Sequence, residues 1–234
     1  MITAEQLAEN LEYVRGAIAQ AAERASRDAQ DVTLIAVSKT VALDLVRIAY
    51  NLGVTDFGEN RVQDALPKIA EFHPQELRWH MIGHLQSNKT SKVIGAFASV
   101  QSVDNLHLAQ ALERHADRQG IALPVLLQVN VSGEVSKEGM SPAEAPELAR
   151  QIVALPHLRV EGLMTIAPIA QNPEETRPVF RQLRLLRDYL RNEIPQSEWQ
   201  HLSMGMTDDY RVAIEEGATI VRIGRAIFGE RVYT

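Results

Sequence analysis

Val32-Thr33-Leu34-Ile35-Ala36-Val37-Ser38 is a short, nearly continuous apolar run. A strand with one wet face alternates apolar and polar residues, whereas a strand covered on both faces does not, so this run reads as a fully buried strand. The texture changes just after it. Leu43 to Leu52 has helical spacing and is closed by Gly53 as its C-terminal cap. On the other side, Thr3 and Gln6 form a capping box for a helix to about Arg27, with Leu7, Leu11, Val14 and Ile18 as its apolar stripe.

The alternation of strand and helix continues along the chain. Thr55 to Gly58 is a second strand, followed by a helix through Val62, Leu66 and Ile69. Arg78 to Ile82 is a third, with a helix beginning near Ser87; Ser99 to Val103 is a fourth, with Leu106 to Gln119 as its helix. Leu123 to Asn130 is the fifth and clearest strand. Ser141-Pro142-Ala143-Glu144 then opens a helix with a capping box and a proline at the first helical position. Leu158 to Ile166 is the sixth strand, before a long helix from about Glu174 to Glu193. Trp199 to Met204 is the seventh, with a helix from Asp208 to Glu216, and Ile220 to Gly224 is the eighth.

Eight strands alternating with helices predict an α/β fold, a (β/α)8 barrel, with a doubly wound open sheet as the competitor. No linker, low-complexity segment or shift in composition marks a second domain. The expectation is one domain over 1–234, with the N-terminal helix at about 3–27 and the barrel at about 32–230.

Composition narrows the functional classes. Hydrophobic residues make up 45% and charged ones 23% of 234 residues, which argues against disorder and fibrous repeats. A net charge of -6 gives no reason to approach nucleic acid or an anionic membrane, and no apolar run approaches the roughly 20 residues that span a bilayer. Cysteine is absent, which removes thiolate nucleophiles and disulfides. The first helix is amphipathic and acidic, unlike an export signal, so a cytoplasmic location is expected. No sustained heptad demands a dimer, and a monomer is the default.

In such a barrel, chemistry sits at the C-terminal ends of the strands. Those ends carry Ser38-Lys39, Gly58-Glu59-Asn60, Gly83-His84, Asn130, Met164-Thr165, Ser203-Met204-Gly205, and Arg222 with Gly224. Strand alternation puts Lys39 on the face of Ile35 and Val37. If that face is the barrel interior, partial desolvation favours the free amine, a nucleophile for carbonyls; the alternative is a lysine that snorkels to the rim. Ser203-Met204-Gly205-Met206-Thr207 precedes a helix and suits a phosphate, although Thr207 could simply cap that helix. Val221-Arg222-Ile223-Gly224-Arg225 offers a second cradle, with Arg225 bringing positive charge. Arg222 lies between apolar residues and needs a partner, either a carboxylate such as Glu161 or the ring nitrogen of a ligand. His80 and His84 have a metal-like spacing but straddle strand and loop with no carboxylate set beside them, so no metal is expected.

These residues carry a resemblance. Ile35-Ala36-Val37-Ser38-Lys39, Phe57-Gly58-Glu59-Asn60, Trp79 to Lys89, Gly162-Leu163-Met164-Thr165-Ile166, Leu202 to Met206 and Val221-Arg222-Ile223-Gly224 resemble the pyridoxal phosphate homeostasis proteins, the YggS/PROSC family. The resemblance covers nearly the whole chain, with Thr207 standing where serine is more usual. It implies a modified barrel like the N-terminal domain of alanine racemase, with pyridoxal 5'-phosphate held as an internal aldimine on Lys39. It implies that Ser203 holds the phosphate with the backbones of Gly224 and Arg225, and that Arg222 faces the pyridine nitrogen. Asn60, Met164 and Gly205 are placed beside the cofactor. It further implies a role in vitamin B6 supply and amino-acid and keto-acid balance, without established turnover and so without catalytic residues.

The residues agree with a carrier in two respects. Arginine only donates hydrogen bonds, so it favours an unprotonated ring nitrogen and a weak electron sink. The eighth strand also falls close to the end of the sequence, so the second domain that closes a racemase site is expected to be missing. The expected partners are pyridoxal phosphate and apoenzymes that accept it, or a regulatory protein. Two other readings stand beside the carrier: a racemase or decarboxylase of low activity with His84 as its base, and a cofactor-independent Schiff-base lyase of the barrel aldolase type.

Overall fold

The computed structural model describes residues 2–134 and 137–230. Its strands are β1 (Thr33–Val37), β2 (Asp56–Glu59), β3 (Arg78–Met81), β4 (Ser99–Val103), β5 (Leu123–Gln128), β6 (Leu158–Met164), β7 (His201–Ser203) and β8 (Ile220–Ile223). They form one closed parallel barrel in chain order, β8 pairing back onto β1 with Ile35 opposite Arg222. The open-sheet alternative is thereby excluded, and the modified (β/α)8 barrel stands.

The helices are α1 (Ala4–Arg24), α2 (Leu43–Asn51), α3 (Val62–Glu71), α4 (Leu106–Gln119), α5 (Ala145–Val153), α6 (Arg177–Glu193), α7 (Tyr210–Glu215) and α8 (Arg225–Phe228). Both bonds of the Thr3–Gln6 capping box form, and the α1 stripe of Leu7, Leu11, Val14 and Ile18 is buried. α1 packs on α7, α8 and α2. Because α8 is a single turn, α1 fills the place in the outer ring where a long eighth helix would stand. Asn10 ties the two together, its Nδ2 donating to the Ile227 carbonyl at 2.9 Å.

Several boundaries differ from the sequence reading, each for a local reason. The segment after Ser87 forms a 3-10 helix over Ser87–Lys92 rather than an α-helix. Ser141 and Glu144 do exchange capping bonds, but they close a turn ahead of α5, which starts at Ala145. β7 begins at His201 because Trp199 has φ 49°, outside strand geometry, with its indole N–H donating to Ile194.

The core has two compartments. Most buried apolar residues lie between sheet and helices, while a small cluster of Ile35, Leu126, Met164 and Ile220 fills the barrel itself. At the N-terminal face, Asp56 accepts a bidentate pair of hydrogen bonds from Arg78 at 2.7 and 2.8 Å and bonds His80 at 2.8 Å. The other His80 nitrogen meets Ser99 Oγ at 2.8 Å. Burial alone would raise the Asp56 carboxyl, but the hydrogen bonds from His80 and Arg78 outweigh it and hold it at about 2. A carboxyl depressed on folding stabilises the native state above its unfolded value of 3.8 and loses that contribution as pH falls toward 2. The expected loss is about 2 kcal/mol across that window. Asp56→Asn should remove the same amount at neutral pH, and its urea-unfolding curves should converge with those of the parent protein near pH 2.

Candidate functional site

β1 and β8 run side by side with Ile35 opposite Arg222, and β1 continues into the turn that carries Lys39. Alternation along β1 sends Ile35 into the barrel, and Lys39 follows on the same side in the turn after the strand, half-buried. That turn is fixed from several directions. The Val41 N–H donates to the Ser38 carbonyl at 2.9 Å, and Thr40 sits at φ 64°, a left-handed conformation costly for a β-branched residue. Ser38 Oγ donates to Glu59 Oε1 at 2.7 Å, and Lys68 of α3 donates to both the Ser38 carbonyl and Glu59 Oε1 at 2.8 Å. Glu59 is fully buried and its Oε2 has no partner. Sequence reading placed Glu59 at the mouth. It instead points away from the barrel, toward α3, because alternation along β2 sends Asp56 and Gly58 inward and Phe57 and Glu59 outward.

Arg222 points into the barrel and is 4% exposed. Its Nη1 donates to Ser203 Oγ at 2.6 Å and its Nη2 to the Thr165 carbonyl at 2.8 Å. Ser203 passes its own proton on to Gln101 Oε1 at 2.7 Å. Burial lowers the guanidinium to about 10, Asp209 opposing, so it stays charged at neutral pH. Glu161, the carboxylate offered as its structural partner, pairs with Arg159 at 2.6 Å instead. The buried cation is thus held by neutral acceptors, and only two of its five N–H donors are used in those bonds.

The remaining expected residues fall into two groups. Asn60 is half-buried directly after β2, its backbone so close to Gly83 that a Cβ there would lie 2.4 Å from the Asn60 carbonyl oxygen. Met164 lies inside the barrel against Ile35. Gly205 has φ 94°, and its carbonyl accepts from the Arg222 N–H at 3.0 Å, which sets the turn after β7 against β8. Gly224 packs on Val37, beside the Lys39 turn. Ser203 and Arg225 are committed elsewhere. The Ser203 hydroxyl is fully buried between Arg222 and Gln101, and Arg225 forms an ion pair with Asp208 that offsets its charge at the rim. Thr207, read as a possible helix cap, lies with its Oγ1 3.5 Å from the Ala226 amide, facing the turn that contains Gly224 and Arg225. Gln101 and Lys68 were not singled out from sequence, since strand-centre glutamines and helix lysines carry no local signature. His84 is exposed, 3.7 Å from Glu138.

Comparisons with known proteins bear on the fold and the family. The family model described as alanine racemase, N-terminal domain, matches residues 10–232. The pyridoxal phosphate homeostasis protein of Aquifex aeolicus is 45% identical over 96% of this chain and 98% of its own length. That of Pseudomonas aeruginosa is 46% identical over 97% and 96%. PipY of Synechococcus elongatus with pyridoxal phosphate bound superposes with a TM-score of 0.84 at 37% identity, covering 95% of this chain and all of that one. Alanine racemase of Corynebacterium glutamicum shares the fold, with a TM-score of 0.74 at 16% identity, but this chain spans only 62% of it. The chain belongs to the family of pyridoxal phosphate homeostasis proteins, built on the barrel of the alanine racemase N-terminal domain.

Proposed function

We propose that this protein binds pyridoxal 5'-phosphate through a Schiff base on Lys39 and acts in vitamin B6 homeostasis as a carrier without turnover. The observation that carries the reading is Arg222. It is a buried cation hydrogen-bonded to neutral groups, with N–H donors to spare, opposite Ile35 on the strand that leads into the Lys39 turn. An aromatic ring nitrogen is an acceptor that fits such a donor without bringing a charge. When bound, pyridoxal phosphate supplies an aldehyde and an electron-withdrawing ring. The Lys39 amine attacks that aldehyde carbon and water leaves, which makes the linkage reversible. Thr207 with the backbone of Gly224 and Arg225 holds the phosphate, while Ser203 sets the angle of Arg222 from below. Asn60, Met164 and Gly205 shape the walls.

Because Arg222 is protonated at neutral pH and can only donate, it keeps the ring nitrogen unprotonated. An unprotonated ring withdraws electrons weakly, which disfavours carbanion chemistry and suits storage and release. Among the described residues no helix is long and apolar enough to cross a membrane. We assign the protein to the cytoplasm as a monomer that delivers the cofactor to acceptor apoenzymes or reports its level to a regulatory protein.

The test is the absorption spectrum of the purified protein before and after borohydride, with peptide mapping of the fixed label. A yellow protein labelled at Lys39 is expected; a colourless protein that stays unlabelled after incubation with pyridoxal phosphate would sink the cofactor reading. No α-deuterium should exchange into amino acids, and exchange that disappears in Lys39→Ala would make the protein an enzyme. Arg222→Gln removes a charged donor, worth about 1.5–3 kcal/mol, so the affinity for pyridoxal phosphate should fall by roughly ten- to a hundredfold.

A further inference from the structure

The turns after β3 and β4 and the segment between β5 and α5 bring together His84, Asp104 and Glu138, whose nitrogen and carboxylate oxygens all lie within 4.8 Å of one another. His84 Nδ1 is 3.7 Å from Glu138 Oε2. We propose that these three side chains form a site for a divalent metal ion of the zinc class, independent of the pyridoxal phosphate reading.

The donor set decides the class. One imidazole nitrogen and two carboxylate oxygens suit zinc and its first-row neighbours, carry enough negative charge to neutralise a dication, and leave a fourth position for water. A tetrahedral zinc ion with bonds of about 2.0–2.2 Å needs ligand atoms roughly 3.3 Å apart. Closing from the present separations takes rotamer changes only, and the exposed His84 and Glu138 side chains have that freedom. Asp104 is the fixed member. Its Oδ1 accepts from Asn105 Nδ2 at 2.6 Å, while Asn105 Oδ1 caps α4 by accepting from the Leu108 N–H at 2.8 Å. A ligand oriented by a residue that is itself held in place is the usual outer support of a metal site.

The electrostatics point the same way. Asp104 and Glu138 both turn carboxylate oxygens toward one imidazole. Two carboxylates held this close with a single imidazole for compensation are stabilised by a cation between them. The cluster escapes sequence inspection because its carboxylates come from the segments after β4 and β5 while its histidine follows β3, which left His84 looking unaccompanied.

The test uses the full chain stripped of metal by a chelator, titrated with Zn²⁺ by calorimetry and with Co²⁺ by visible absorption. One equivalent is expected to bind, and Glu138→Gln and Asp104→Asn should each weaken binding by about tenfold or more. Glu138 is exposed, so its replacement leaves the fold intact, and circular dichroism confirms this for both variants. No stoichiometric uptake by the unsubstituted protein, or a loss smaller than tenfold in either variant, overturns the proposal.

Discussion

Lys39→Ala is expected to abolish the borohydride-fixed label while leaving a folded protein that still takes up pyridoxal phosphate, at least about tenfold more weakly. The reason lies in which interactions each part of the site supplies. Thr207, Arg222 and the Gly224–Arg225 backbone are untouched by the substitution, so binding without a covalent bond survives. The reversible bond to the aldehyde is lost outright, since Lys68, the other amine at this turn, is tied to the Ser38 carbonyl and Glu59. Stability should change by about 1 kcal/mol, the centre of the range for single substitutions. Lys39→Arg separates charge from chemistry: it keeps the cation but cannot form the linkage, so it should behave as the alanine variant does. Label that reappears in equal yield on Lys68, Lys89 or Lys92 would overturn the assignment of Lys39.

Lys68→Met should cost about 3–5 kcal/mol, the usual penalty for removing one partner of a buried ion pair. Glu59 is fully buried, and Lys68 and Ser38 both bond its Oε1 while Oε2 is bare. Without the ammonium, a desolvated carboxylate keeps a single hydroxyl donor. Pairing the change with Glu59→Gln should recover most of the loss, since a neutral amide carries no stranded charge. Equilibrium urea unfolding of the parent and the two variants measures this. A single variant within about 1 kcal/mol of the parent would show that the pair is not what holds the turn. The single variant should also take up pyridoxal phosphate more slowly, because Lys68 fixes the Ser38 carbonyl at the base of the Lys39 turn.

The barrel was legible in the sequence because its strands are covered on both faces and so appear as apolar runs separated by helical spacing. Lys39, Arg222 and Gly205 stood out for the same reason: a charge or a glycine interrupts a pattern that otherwise holds. What sequence could not supply was the direction of side chains at strand ends and their partners across the barrel. Glu59 lies one residue from Gly58, yet alternation turns it outward to α3. Ser203 and Gln101 are joined over a separation of 102 positions, a contact that exists only once the barrel closes. The start of α7 at Tyr210 rather than Asp208 has a local cause, because Asp209 accepts from the Met206 N–H at 2.6 Å and holds the preceding turn out of the helix. Arg225 was read as charge at the rim, and its neutralisation by Asp208 needed two separate loops to be placed together.

The bonds from Arg222 through Ser203 to Gln101 run in one direction only. A guanidinium has no lone pair to offer, so the serine must accept from it and spend its single proton on the next residue. Position 101 is therefore selected for an acceptor, and the glutamine amide is obliged to turn its oxygen inward and its NH2 away. Reversing the polarity of the far end with a pure donor such as lysine would leave two donors facing one hydroxyl. The protonation habit of one residue on β8 thus constrains which amino acids evolution can place on β4, half a barrel away.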